Sequence, residues 1–260
     1  MKHILSKREV DVLAQLAWSR VLLAFDFDGT LAPIVGDRDA AGMRARTRDL
    51  FRRVCELYPC AVISGRSRDD VARRLGGAPV QFVIGNHGLE PGNDIDRFAR
   101  QMAEIRPSLE ESLREVPGVE IEDKEYSLAV HYRRSRRREE AREAIARAVE
   151  ALPVNMRSVG GKLVVNLLPA DAPHKGDALV RLLRERAADT ALYVGDDLTD
   201  EDVFELDLPG RLVTIRVGAS RRSAAGYFLR DQAEVDALLV TLAGLRTKHG
   251  QRALAEEGHR

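Results

Sequence analysis

Cysteine is nearly absent: Cys55 and Cys60 are the only two in 260 residues. A disulfide framework or a four-ligand zinc site is therefore excluded, no Cys/His spacing around the pair completes a metal cluster, and both are expected to be reduced core filler. Net charge is absent too, since 41 Lys plus Arg balance 41 Asp plus Glu. No overall field draws the chain toward nucleic acid or an acidic membrane, and the expected partner is a small molecule, taken up by a monomer. Long apolar runs are missing, and stretches such as Val21–Phe25 are far too short to span a bilayer. Met1–Arg20 carries scattered charges and no apolar core ahead of a small-residue cleavage site, so it does not read as a secretory signal. The expected compartment is the cytoplasm. Internal repeats, low-complexity tracts and disordered linkers are lacking as well.

What is present is an alternation of short Val/Ile/Leu runs with helix-patterned segments, the signature of a parallel α/β sheet. The expected strands are Val21–Phe27, Cys60–Ile63, Gln81–Ile84, Ala191–Val194 and Leu212–Val217. Between the first two, Met43, Leu50, Val54 and Leu57 share one face of an expected helix over Gly42–Tyr58. Ser67 is placed to cap a helix over Arg68–Leu75, and another helix, Lys175–Ala188, precedes the Ala191 strand. The middle of the chain reads differently. A helix near Phe98–Glu115 leads through Pro117-Gly118 into Val119–Arg133, where apolar residues punctuate polar ones as in strands. A helix over Ser135–Leu152 and a hairpin over Val154–Leu168, turning at Gly160-Gly161, follow. The β, β, α, β, β order suggests a small α/β lobe, 97–170, inserted into a core built from 1–96 and 171–260.

The strongest chemical signal is Asp26-Phe27-Asp28-Gly29-Thr30-Leu31 at the end of the first strand. Ligand crevices of open α/β sheets lie at the carboxyl ends of strands, and strand alternation puts Asp26 and Asp28 on one side. Neighbouring carboxylates repel, a divalent cation relieves the repulsion, and hard oxygen ligands favour Mg²⁺. Gly195-Asp196-Asp197-Leu198-Thr199-Asp200-Glu201 adds further carboxylates at the end of another strand. Alone it reads equally as an acidic helix start; beside the first segment the cation reading wins. Two pieces suit a phosphate. Ser64-Gly65-Arg66 ends the second strand with a hydroxyl and backbone amides, and Lys175 offers a point charge at a helix start.

In that order, Asp26–Thr30, Ser64-Gly65-Arg66, Lys175-Gly176 and Gly195-Asp196-Asp197 resemble the four motifs of haloacid dehalogenase-like (HAD) phosphatases. Finer detail is similar to the trehalose-6-phosphate phosphatase family: Leu31-Ala32-Pro33-Ile34, Gly85-Asn86-His87-Gly88-Leu89-Glu90, the stretch Glu122–Arg133, and Asp197–Glu201. The resemblance implies a HAD-like Rossmannoid core, a central parallel sheet flanked by helices, with an inserted α/β cap of the C2 type. It implies an Mg²⁺-dependent hydrolase acting on a sugar phosphate, in trehalose biosynthesis. Asp26 would be the nucleophile and Asp28 the acid and base, with Mg²⁺ on Asp26, the Asp28 carbonyl oxygen and Asp196. Ser64 and Lys175 would hold the phosphoryl group, Gly65 and Arg66 would shape that pocket, and Asp197 and Asp200 would lie nearby. Glu122, Lys124, Arg133 and Lys162 would be the cap's sugar contacts, with Asn86 and His87 in the substrate pocket. The family's Glu-x-Arg-Pro pattern is replaced by Asn166-Leu167-Leu168-Pro169, which removes a carboxylate and a guanidinium from the sugar side.

Blander readings hold elsewhere. His87 is expected to form pocket wall rather than to catalyse, and His131 to be structural. Arg133–Arg138 is followed at once by Glu139 and Glu140 with no interleaved aromatics, so it reads as a solvated helix face. Trp18, Tyr227 and Phe228 read as packing anchors. The alternatives are a phosphatase for another sugar phosphate, a non-catalytic sugar-phosphate sensor and a receiver domain. The receiver is disfavoured by the early position of Asp26 and the inserted lobe.

Overall fold

The structure is a computed structural model that describes every residue except Trp18, Asp37, Asn93, Lys162 and 258–260, and leaves aside the side chains of Arg38 and 248–257. The packing role expected of Trp18 lies outside the described residues. The strands are Lys2–His3 (β1), Val21–Phe25 (β2), Cys60–Ile63 (β3), Phe82–Ile84 (β4), Glu120–Asp123 (β5), Leu128–His131 (β6), Met156–Gly161 (β7), Val164–Pro169 (β8), Thr190–Gly195 (β9), Leu212–Val217 (β10) and Tyr227–Leu229 (β11). The helices are Val10–Leu16 (α1), Ala45–Leu57 (α2), Arg68–Arg74 (α3), Ile95–Leu113 (α4), Arg138–Glu150 (α5), Lys175–Glu185 (α6), Glu201–Phe204 (α7) and Glu234–Glu257 (α8).

Seven strands form one sheet in the order β1-β11-β10-β9-β2-β3-β4, every pairing parallel. All five residues of β2 are buried, as a central strand covered on both faces requires. Its alternation sends Leu23 and Phe25 toward α1, α2 and α8, and Leu22 and Ala24 toward α6 and α7. Phe25 meets Phe51 of α2 edge to face, with ring centroids 5.4 Å apart. Each such buried side chain contributes roughly 1.5–3 kcal/mol. After β2 the chain turns to β3 on one side, while β9 lies on the other, so a crevice opens at the carboxyl ends of β2 and β9. Asp26 and Asp196 stand there.

The second sheet is antiparallel, in the order β5-β6-β8-β7, and packs on α4 and α5 through Met102, Ile105, Leu109, Val130, Ile145 and Leu167. The hairpin does not turn at Gly160-Gly161. Both glycines remain in β7, where Gly160 pairs with Val165 and Gly161 with Val164, because the ladder from Met156 to Pro169 keeps its register through them. Ser67 caps α3 as expected, accepting from the Asp70 amide at 3.4 Å. Tyr227 and Phe228 form a short strand, β11, between β1 and β10, rather than acting only as packing anchors. Among the described residues no helix is long and apolar enough to cross a membrane.

Candidate active site

Four loops at the carboxyl ends of β2, β3, β4 and β9 build the site on the core sheet. Gly29 turns the chain after Asp28 with φ +85°, and its amide donates to the Ala32 carbonyl at 2.7 Å. A side chain at Gly29 would start 2.0 Å from Asp196 Oδ2, so only glycine lets the β2 and β9 loops meet. The Asp26 amide donates to Val194 O at 2.8 Å, which fixes the carboxylate at the strand end.

One oxygen from each of Asp26, Asp196 and Asp200 falls within 4.8 Å of the other two. Lys175, the first residue of α6, reaches this cluster and donates to Asp26 Oδ1 and Asp200 Oδ1, both at 2.8 Å. Burial alone would lower the Lys175 pKa, but Asp200 and Asp26 raise it overall, so the ammonium is permanently charged. Asp200 is fully buried and also accepts from the Tyr193 hydroxyl at 2.7 Å and the Asp197 amide at 2.9 Å. Asp196 has much less: Thr30 Oγ1 at 3.5 Å. Burial, then Asp200 and Asp197, push its pKa up to about 7. Burial likewise pushes Asp26 well up, against Lys175 and with help from Asp200 and Asp196.

These carboxylates fit a divalent cation. They offer hard oxygens in close array, share one ammonium, and leave Asp196 short of donors, so a cation would relieve charge that the protein does not. The Asp28 side chain is not in the cluster. Both its oxygens sit in the fork of Arg66, at 2.5 and 2.8 Å, and Arg66 also donates to Asp70 at 2.8 Å. Asp28 is therefore held by two parallel bonds to Arg66 at the cavity wall.

A cavity of about 940 Å³ joins the two sheets, large enough for a ligand of drug size. Asp26, Asp28, Ser64, Gly65, Arg66, Lys175 and Asp196 line its core side. Glu122, Lys124, Arg133 and Asn166 line the side of the second sheet. Glu122 is hydrogen-bonded to His131 Nε2 at 2.9 Å, which gives that histidine a side-chain partner as well as a place in the sheet. Lys124 donates to Gly65 O at 3.1 Å and Asn166 Oδ1 at 3.3 Å, and Arg133 to Gly36 O at 2.9 Å, so the second sheet is seated on the core. Lys162 lies outside the described residues.

His87 lines the cavity against Gly65 and adopts φ +59°. Burial first, then Lys124, Lys175 and Arg157, hold its pKa well below 6.5. The ring is neutral, with Asn166 near it but neither nitrogen in a well-formed hydrogen bond. Asn86 is different. It is fully buried behind the wall and is not among the residues lining the cavity. Its positive φ of 45° turns the side chain toward the β5–β6 connection. Sequence reasoning missed Tyr193 and the central place of Asp200. A tyrosine three residues before Asp196 on a buried strand was the available signal.

A doubly wound parallel sheet, a carboxylate and a lysine meeting at its switch point, and an inserted α/β lobe over the crevice together define a phosphatase of the haloacid dehalogenase type. The trehalose-phosphatase family profile matches residues 24–233, and the chain belongs to that family. It is 30% identical to a probable trehalose-phosphate phosphatase of Oryza sativa subsp. japonica over 270 residues, covering 96% of this chain and 73% of that one. A trehalose-phosphate phosphatase of Mycobacterium avium is 34% identical over 204 residues, covering 73% of this chain and only 52% of that longer protein. The C-terminal domain structure of the C. albicans trehalose-6-phosphate phosphatase superposes with TM-score 0.77 at 23% identity, covering 90% of this chain and 97% of that one, a likeness of fold.

Proposed function

We propose that the protein hydrolyses trehalose 6-phosphate to trehalose and phosphate, with Mg²⁺ as the cation and Asp26 as the phosphoryl acceptor. The observation that carries this reading is that Asp26, Lys175 and Asp196, from distant stretches of chain, converge in one cavity that the second sheet closes. Asp26 attacks phosphorus, the bond from phosphorus to the sugar oxygen breaks, and Asp28 delivers a proton to that oxygen. Asp28 then takes a proton from water, whose oxygen attacks the phosphorus, and the bond to Asp26 breaks to return the carboxylate and free phosphate. For the proton transfers Asp28 turns out of the Arg66 fork. Ser64 and Lys175 hold the phosphoryl oxygens. A bound cation on Asp26, Asp196 and the Asp28 carbonyl oxygen would supply charge neutralisation between the carboxylate and the phosphoryl group.

In this reading residues 97–170 are a cap that closes the crevice to water, with Glu122, Lys124, Arg133 and Asn166 facing the sugar and His87 as neutral wall. The protein acts as a cytoplasmic monomer. Among the described residues, exposed large apolar side chains are scattered: Met1, Ile34, Leu198 and Val240. A second reading, another phosphorylated sugar, is favoured by one observation: Lys124 meets the neutral Asn166 where the family has a carboxylate. A phosphate-release screen across sugar phosphates, with EDTA as control, separates the two. The first reading expects trehalose 6-phosphate to lead and EDTA to silence it; a different leading sugar supports the second. Binding without release would point to a sensor.

A further inference from the structure

Asn86 joins the phosphate-binding loop to the cap. Its amide donates to Arg66 O at 2.7 Å, and its side-chain Nδ2 donates to Glu90 Oε2 at 2.9 Å and to Lys124 O at 3.2 Å. Its Oδ1 accepts from Ser127 Oγ at 2.8 Å. The same Glu90 oxygen accepts from the Arg68 amide at 2.7 Å, two residues beyond Ser64-Gly65-Arg66 at the start of α3. Gly85 makes this possible, since a side chain there would start 2.4 Å from that oxygen and 2.2 Å from the Arg68 nitrogen. Every polar atom of the Asn86 side chain is thus bonded in the fully buried interior, and two of its three side-chain bonds cross to the connection between β5 and β6. That connection carries Lys124, whose ammonium returns to Gly65 O at 3.1 Å.

We propose that Asn86 is a positioning residue for substrate specificity: through Ser127 Oγ and Lys124 O it sets where the cap, and with it the Lys124 ammonium, sits over the phosphate loop. A buried amide with each donor and acceptor satisfied fixes one register, because any slip leaves unpaired polar groups. The inference rests on the reading of residues 97–170 as the part that contacts the sugar. It predicts a split between substrates. A sugar phosphate needs the seated cap; p-nitrophenyl phosphate, with no sugar, needs only the core.

The test uses the full chain carrying Asn86→Gly, which removes the side chain and tolerates φ +45° without strain. Ser127→Ala is the cap-side counterpart. For Asn86→Gly, the KM for trehalose 6-phosphate is expected to rise roughly five- to tenfold with kcat within about twofold, and turnover of p-nitrophenyl phosphate to be unchanged. Amide exchange over residues 124–128 is expected to quicken in the substrate-free protein. Ser127→Ala should act the same way but more weakly, and adding it to Asn86→Gly should cost little more, since the bond it removes is already lost with the Asn86 side chain. An equal loss of kcat on both substrates, or exchange over 124–128 that does not change, overturns the proposal. Wild-type protein that releases no phosphate from any sugar phosphate overturns the functional reading instead, and the exchange measurement still decides the seating.

Discussion

At the scale of single residues, the acidic cluster is where chemistry and stability conflict. Asp26 is buried, beside other carboxylates, and is kept in place by the Lys175 bond at 2.8 Å. Asp26→Asn is expected to abolish turnover and leave the fold intact, with phosphate release and circular dichroism as the readouts. Lys175→Ala leaves Asp26 and Asp200 buried without their cation, and is expected to cost about 3–5 kcal/mol of stability in denaturant unfolding and at least about a hundredfold in kcat. Asn166→Glu places a carboxylate opposite Lys124, now 3.3 Å from the amide oxygen, and is expected to raise turnover of trehalose 6-phosphate. No change on any sugar phosphate would count against the sugar-facing role of that strand.

Elements show why part of the site was legible in sequence and part was not. Asp26, Ser64 and Asp196 follow buried strands directly, so the carboxyl-end rule placed them without tertiary information. The two shortest strands at that side of the sheet did not announce themselves: β1 has only two residues, Lys2 and His3, and β11 three, with too little alternation to register. The glycine pair looked like a turn, yet pairing across the whole of β7 and β8 outweighs local glycine preference. Asn86 was legible as a site residue but not in its direction, because a left-handed backbone that aims it at Ser127 leaves no period in the sequence. Helix α3 adds a testable contact. Burial would raise the Asp70 pKa, but Arg74 and Arg66 hold it down to about 2. The stability this contributes is present above the unfolded carboxylate value of about 3.9 and fades as pH falls through about 2. Asp70→Asn is expected to lower the melting temperature by a few degrees at neutral pH, and the gap to the wild type should close on acidification.

For the molecule as a whole, the two sheets meet around unbalanced negative charge. Asp196, raised to about 7, favours the protonated form in the folded state when no cation is bound. Its contribution is full below the unfolded value of about 3.9 and is lost as pH rises through about 7. In EDTA, the stability advantage of Asp196→Asn over the wild type is therefore expected to grow between about pH 4 and 7 in thermal unfolding and to level off above that. Mg²⁺ should remove that advantage by stabilising the wild type alone. An advantage that ignores both pH and Mg²⁺ would mean that the cluster is not the cation site.

The decisive measurement is an acid quench during turnover of trehalose 6-phosphate in Mg²⁺, followed by mass spectrometry of the digested protein. A phosphoryl group on the peptide containing Asp26, absent from Asp26→Asn, is the expected result. Undiminished phosphate release by Asp26→Asn, or a phosphoryl group carried on another residue, would contradict the nucleophile assigned to the end of β2.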